Sequence, residues 1–125
     1  GSFVTPDELG LRLTIEDART KGTTLGSGVV LAIDDSVDLR RLLMVIAAFF
    51  RDESCGQCVP CRVGTVRQEE ALARLLSGRT RGSVQDELAL IAEIGEAMRD
   101  ASICGLGQTA SSAIESAIAK LGVFG

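Results

Sequence analysis

The chain has 125 residues, enough for one domain with a modest core, and hydrophobic residues make up 46% of it. Its only aromatic residues are four Phe, which favours an aliphatic, helical core and argues against a site that stacks nucleobases or sugars on aromatic rings. A formal net charge of −4 argues against nucleic-acid binding, and the longest apolar run, residues 42–50, is too short to cross a bilayer. We therefore expect a cytoplasmic chain without direct membrane insertion, or one held at the inner membrane only through a complex.

The beginning of the chain predicts short strands. Leucine and isoleucine alternate with polar residues in LRLTI (11–15), and a β-branched run follows at 29–33. Between them, EDARTKG predicts one helical turn that ends at Gly22. Because two strands do not make a stable sheet, we interpret residues 1–35 as the C-terminal part of a domain whose other strands are not in this sequence.

From Ser36 onward the apolar residues recur with the period of an α-helix. The first predicted helix has Ser36 as its N-cap and ends near Arg51. The second begins at Pro60 or Cys61, because proline is tolerated in the first turn of a helix, and it ends near Gly78.

The remaining residues predict two more helices. Ser83 and Asp86 form a capping box at the start of the third, and the fourth runs from about Thr109 to Gly122. Short links between helices give antiparallel neighbours, so the fold class is mainly α, with a four-helix bundle over residues 36–125.

The four cysteines are the most informative residues. Cys55, Cys58 and Cys61 form a C-x2-C-x2-C motif, Cys104 follows after 42 further residues, and the chain has no histidine. Disulfides would need an oxidising compartment, which nothing in the sequence indicates. Structural zinc sites with four cysteine ligands, the main alternative, usually use two separated pairs of cysteines. Ordinary buried thiols do not explain the regular spacing.

A [4Fe–4S] cluster is the interpretation that the spacing favours. A tight loop with three cysteines can wrap three iron corners of a cube, and the fourth ligand then comes from elsewhere in the fold. Cys61 lies where a helix begins, so the positive end of that helix would face an anionic cluster. Glycines would let backbone N–H groups approach the sulfurs, and arginines would add positive charge; the candidates are Gly56, Gly105, Gly107, Arg51, Arg62 and Arg67.

No catalytic set accompanies these cysteines. The sequence has no histidine and no activated nucleophile, and its GSG precedes a strand pattern, whereas a dinucleotide-binding loop follows a strand. The residues alone therefore predict an electron relay with unnamed donor and acceptor. Whether the chain is part of an enzyme stays open at this point.

The segments ESCGQCVPCRVGT, ASICGLGQTA and GTTLGSGVVLAID resemble the C-terminal region of one protein family. This family is the NADH-oxidising flavoprotein subunit of respiratory complex I (the 51-kDa-type subunit), of NAD-reducing hydrogenases and of NAD-dependent formate dehydrogenases. The resemblance implies that Cys55, Cys58, Cys61 and Cys104 bind a [4Fe–4S] cluster. It also implies that residues 1–35 end a ubiquitin-like (β-grasp) domain.

In that family an N-terminal domain holds FMN and NADH, and this sequence does not contain it. The resemblance therefore implies that FMN and NAD(H) bind a missing N-terminal region or another chain, and that this chain alone has no complete active site. The expected partners are the remainder of the flavoprotein subunit and other iron–sulfur subunits of a multisubunit oxidoreductase. The terminal substrate, whether quinone, hydrogen or formate, is not encoded in this sequence.

Overall fold

A computed structural model describes all residues from 1 to 125 and shows a mainly α protein without β-strands. This confirms the predicted fold class at the level of secondary structure. A 3-10 turn and six α-helices follow one another along the chain: Pro6–Glu8, then α1 (Ile15–Thr20), α2 (Leu39–Glu53), α3 (Val59–Ser77), α4 (Val84–Ala101), α5 (Gly105–Thr109) and α6 (Ser112–Leu121).

The two predicted strands are wrong for this chain. Residues 29–33 form no ladder, and Val29, Val30 and Leu31 are 71–80% exposed, because nothing in the chain pairs with them or covers them. In the segment 11–15, the Thr14 side chain accepts a hydrogen bond from the Asp17 backbone N–H and so caps a helix. Helix capping therefore prevails over the alternating pattern there, and the helical turn predicted before Gly22 is present as α1.

Helix α2 begins three residues after the predicted N-cap. Asp38 is the N-cap, and its carboxylate accepts hydrogen bonds from the backbone N–H groups of Arg40 and Arg41. Ser36 instead bonds to the Asp34 carboxylate in the preceding turn. The predicted N-cap was therefore wrong, because an aspartate closer to the apolar run competes successfully with it.

The third predicted helix is confirmed, and the fourth is divided. Ser83 and Asp86 form the predicted capping box of α4. The region assigned to one helix from Thr109 contains the end of α5 and all of α6, whose C-cap Gly122 is in the left-handed conformation. Four helices still contribute to one core, although their assignment as a four-helix bundle remains a prediction.

The core is aliphatic, as the composition requires, and it draws on α2, α3, α4 and α6. Helix α3 packs against both α2 and α4, α6 packs against α2 and α4, and the short α5 contacts α3 and α4. This arrangement holds the ends of α2 and α4 beside the start of α3. The buried core residues are Leu43, Ala47, Ala71, Leu72, Leu75, Ile91, Ile114, Ala117 and Val123.

The N-terminal segment is attached to α6 by polar contacts. The Lys120 ammonium lies 2.9 Å from a Glu8 carboxylate oxygen and also donates to the Lys21 carbonyl. The Phe3 backbone N–H donates to Ser116 Oγ at 2.8 Å. Residues 1–21 are thus anchored to the last helix of the chain.

No helix of the structure has both the length and the apolar character that a bilayer-crossing segment needs.

Candidate iron–sulfur site

The three clustered cysteines lie at the junction of α2 and α3. Helix α2 ends at Glu53, Cys55 lies in the following loop, Cys58 is the N-cap of α3, and Cys61 is in its first turn. The predicted start of this helix was therefore one or two residues late. Cys55 is exposed, Cys58 is half-buried and Cys61 is buried. The junction thus presents one thiol to solvent and directs another into the protein.

The remote cysteine occupies the matching position after α4. That helix ends at Ala101, and Cys104 is the N-cap of the short helix α5 and is exposed. The Gln108 side-chain amide donates a hydrogen bond of 3.0 Å to the Ser102 carbonyl, which folds α5 back onto the segment that carries Cys104.

The fold brings these two cysteine segments together. The backbone N–H of Ile103, next to Cys104 in sequence, faces the thiol of Cys58. Gly107 of α5 packs against Cys61 so closely that a Cβ atom at Gly107 would lie 2.9 Å from the Cys61 Cβ. Residues separated by more than 40 positions in sequence thus share one surface of the protein.

The surroundings of Cys58 favour a thiolate. The backbone N–H of Ile103 has the largest effect, and together with the N–H of Cys61 and the Ser102 hydroxyl it lowers the pKa of Cys58, although burial acts in the opposite direction. Helix α3 has no side-chain cap at this end and no acidic residue in its first turn. Its free N–H groups and positive dipole end therefore add to the attraction for negative charge.

Two serines that the sequence analysis did not identify lie among the thiols. Ser54 Oγ is 3.3 Å from Cys61 Sγ, and both residues are buried. Ser102 is also buried, and its hydroxyl has no hydrogen bond of ordinary geometry. Each serine lies one or two residues before a cysteine, but nothing in the sequence alone indicates that its side chain turns towards the thiols.

The structure gives a place at the cysteine loop to only some of the glycines and arginines that the sequence analysis named. Gly56 has φ +80°, and its Cα faces the Arg62 side chain, whereas a Cβ at Gly105 would touch no other residue. Arg62 therefore covers the cysteine loop. The other two arginines are engaged elsewhere, Arg51 with Asp52 and Glu69 and Arg67 with Glu70.

The donor set fits an iron–sulfur cluster. No three Cys, Asp or Glu side chains are gathered tightly enough to bind one metal ion. A [4Fe–4S] cluster does not need its ligands to converge on one metal ion, because each of its four thiolates binds a different iron atom. Four free thiols on adjoining segments, together with a buried serine hydroxyl without a partner, are of the ligand and hydrogen-bond donor types that such a cluster uses.

Comparison with a protein-family model identifies a match over most of the chain. Residues 41–122 match the model of the NADH-ubiquinone oxidoreductase-F iron-sulfur binding region. This range includes all four cysteines, the two serines and helices α3 to α5.

Individual relatives agree with this match. The F subunit of NADH-quinone oxidoreductase from Rickettsia rickettsii (strain Sheila Smith) is 34% identical over 106 residues, which cover 85% of this chain and 24% of the relative. The corresponding F 1 subunit from Rhizobium meliloti (strain 1021) is 32% identical over 100 residues, covering 80% of this chain and 22% of the relative. The chain therefore spans about a quarter of the length of these curated relatives.

A solved structure shares the fold. The crystal structure of an NAD+-reducing [NiFe]-hydrogenase in the H2-reduced state superposes with a TM-score of 0.80 at 31% identity. The alignment covers 97% of this chain and 20% of the hydrogenase chain. It includes almost all of the N-terminal segment as well as the helices.

Proposed function

Because the chain belongs to the family of the NADH-ubiquinone oxidoreductase-F iron-sulfur binding region, we propose that it binds one [4Fe–4S] cluster and relays single electrons. The cluster would supply one-electron redox chemistry. The ligands are Cys55, Cys58, Cys61 and Cys104. The observation that carries this assignment is the packing of Gly107, in the short helix that begins after Cys104, against Cys61.

The protein's own residues hold and shield the site. The α2–α3 loop supplies three thiolates, and the segment after α4 supplies the fourth. The N–H groups of Ile103 and Cys61 stabilise negative charge at Cys58. Exposure of Cys55 and Cys104 leaves this side of the site open to a partner, as electron transfer requires.

The donor and acceptor belong to a larger assembly. The chain covers about a quarter of its curated relatives, so we assign FMN and NAD(H) to an additional N-terminal region or to another chain. The remainder of the flavoprotein subunit and further iron–sulfur subunits are the proposed partners. Curated relatives are named as NADH-quinone oxidoreductase subunits and the structural neighbour as an NAD+-reducing hydrogenase, so the terminal substrate differs within the group.

The same assembly accounts for the N-terminal segment. We assign residues 1–35 to the C-terminal part of a ubiquitin-like domain and residues 36–125 to a helical cluster domain with four-helix-bundle packing. The exposed apolar residues Val29, Val30 and Leu31 would be covered by strands of the longer protein. The proposed location is cytoplasmic, or peripheral to the inner membrane through the complex.

Metal and sulfide analysis tests this function. Anaerobically reconstituted protein should be brown and should contain iron and acid-labile sulfide in the equal amounts that a [4Fe–4S] cluster requires. Dithionite reduction should give an electron paramagnetic resonance signal. The variant with serine at all four cysteines is the matched control and should stay colourless. A colourless wild-type protein with one tightly bound zinc would contradict the proposal and support a structural zinc-binding interaction module with four cysteine ligands.

A second experiment tests the assignment of the flavin site. The reconstituted chain mixed with FMN and NADH should show no NADH oxidation with ferricyanide as acceptor. Measurable turnover would contradict the assignment of FMN and NAD(H) to another part of the assembly.

A further inference from the structure

Ser54 places a hydroxyl group on one of the clustered thiols. It ends α2, and its backbone N–H, not its side chain, caps the helix by donating to the Arg51 carbonyl at 3.4 Å. Its side chain is free to turn inward, where Oγ lies 3.3 Å from Cys61 Sγ. Only 6% of Ser54 is exposed, so water does not compete effectively for this contact.

Ser102 has the equivalent position at the end of α4. Its backbone N–H donates to the Met98 carbonyl, and its own carbonyl accepts from Gln108, so the backbone is satisfied without the side chain. The hydroxyl is buried and has no hydrogen-bond partner, and it lies beside Gly107, which also packs against Cys61. A Cβ atom at Gly107 would collide with it. The packing therefore holds this hydroxyl at the cysteines.

Burial of these hydroxyls costs free energy, and hydrogen bonds from them to sulfur would change the reduction potential of a bound cluster. A buried hydroxyl without an acceptor loses its hydrogen bonds to water without replacement, and a thiolate beside it would restore one. Hydrogen bonds to cluster sulfurs favour the more negative, reduced state, and they are one of the factors that set the reduction potential of iron–sulfur clusters. The effect is strong where water is excluded, because the local dielectric constant is low.

We propose that Ser54 and Ser102 are positioning residues that donate hydrogen bonds to cysteine sulfurs of the cluster, Ser54 to that of Cys61, and that they raise the reduction potential of the cluster. This inference rests on the proposed function, since it requires a bound cluster. Alanine at either position should keep the backbone cap and remove only the hydroxyl. The predicted effect is therefore on the potential, and a purely structural role for these residues would not produce it.

A redox titration monitored by electron paramagnetic resonance tests the inference on the full reconstituted chain. Ser54→Ala and Ser102→Ala should each lower the midpoint potential, and the double variant should lower it further. Ser111→Ala is the matched control, because Ser111 is fully buried with an unpartnered hydroxyl but lies next to Gly95 of α4. Its potential should equal that of the wild type. Unchanged potentials in both test variants would overturn the inference.

Iron and sulfide analysis of the same samples separates this inference from the proposed function. A wild-type protein without cluster would overturn both, whereas a full cluster with unchanged variant potentials would overturn the serine roles alone. If an alanine variant does not assemble, threonine and valine at that position provide a pair of equal volume. The threonine variant should have the higher potential, and equal potentials within the pair would again overturn the inference.

Discussion

Arg74 of α3 donates two hydrogen bonds, of 2.7 and 2.8 Å, to the buried carboxylate of Glu87 in α4. The backbone N–H of Arg81 donates a third, so the loop between the helices is held by the same carboxylate. The Arg74 hydrogen bonds have the largest effect, followed by that of Arg81, and they lower the pKa of Glu87 from 4.5 to about 2 although burial opposes this. The ion pair therefore couples the packing of α3 and α4 to pH.

The first prediction concerns the acid stability of this pair. Because the pKa of Glu87 is lower in the folded state, its stabilising contribution is complete above pH 4.5 and is lost as the pH falls towards 2. Glu87→Gln should reduce the free energy of unfolding by about 2 kcal/mol at pH 7, and the difference from wild type should shrink between pH 5 and pH 2. Urea unfolding of the metal-free, reduced chain measures it.

Glu93→Gln is the control for this experiment, since Glu93 is an exposed carboxylate on the same helix without an ion pair. The free energy of unfolding of this control variant should equal that of the wild type at each pH. A Glu87→Gln difference that is constant with pH would contradict the assigned pKa.

The second prediction concerns the turn between Cys55 and Cys58. Gly56 has φ +80°, and a Cβ there would lie 2.6 Å from Arg62 Nη2. Gly56→Ala should therefore destabilise the loop by about 1–2 kcal/mol and reduce the iron content after reconstitution. Gly22→Ala is the control, because Gly22 also has a positive φ but has no neighbour within contact distance. It should show the backbone strain without loss of iron, and equal iron loss in both variants would contradict a local role for Gly56.

The third prediction concerns the packing of α5 against Cys61. A methyl group at Gly107 would collide with Ser102 and lie too close to Cys61. Gly107→Ala should push α5 away from α3 and lower the amount of cluster bound per chain. Gly105→Ala, two residues earlier in the same helix, meets no such contact and is the comparison. Iron content and the visible absorption spectrum provide the measurement, and a Gly107→Ala protein with full iron content would show that this contact is dispensable.

The fourth prediction concerns the remote ligand. Cys104→Ser should impair cluster assembly about as severely as Cys58→Ser, because each thiolate binds one iron corner. The measurement is the electron paramagnetic resonance signal of the reduced protein together with its iron content. A Cys104→Ser protein with the full, stable [4Fe–4S] signal would show that the fourth ligand lies elsewhere.

The sequence predicted the helices better than their ends. The capping box of Ser83 and Asp86 identified the start of α4, because the reciprocal hydrogen bonds depend only on residues three apart. The start of α2 was missed, since Ser36 and Asp38 are both acceptable caps and only the local backbone decides between them. The strands at 11–15 and 29–33 were predicted from alternation and composition, which describe a buried face without showing what would cover it.

Some features of the candidate site could likewise be predicted from the sequence, and others could not. Regular spacing was enough to group Cys55, Cys58 and Cys61, since they lie on one loop and the first turn of one helix. The roles of Ser54 and Ser102 depend on where two helices end relative to the start of a third, and no local pattern contains that information. The ion pairs of Arg51 with Glu69 and of Arg67 with Glu70 could not be predicted from the sequence either, because they depend on how the helices pack and on side-chain conformation.

The exposed run VVLAI at 29–33 has a practical consequence for work with the isolated chain. It has strong β-propensity and contains neither charge nor proline, which is the composition of segments that stack between molecules into intermolecular sheets. Asp34 and Asp35 follow it directly, and such charges oppose stacking by electrostatic repulsion between copies. Replacing both aspartates by asparagine should therefore lower the solubility of the purified chain without weakening its helical core, and low protein concentrations suit its handling.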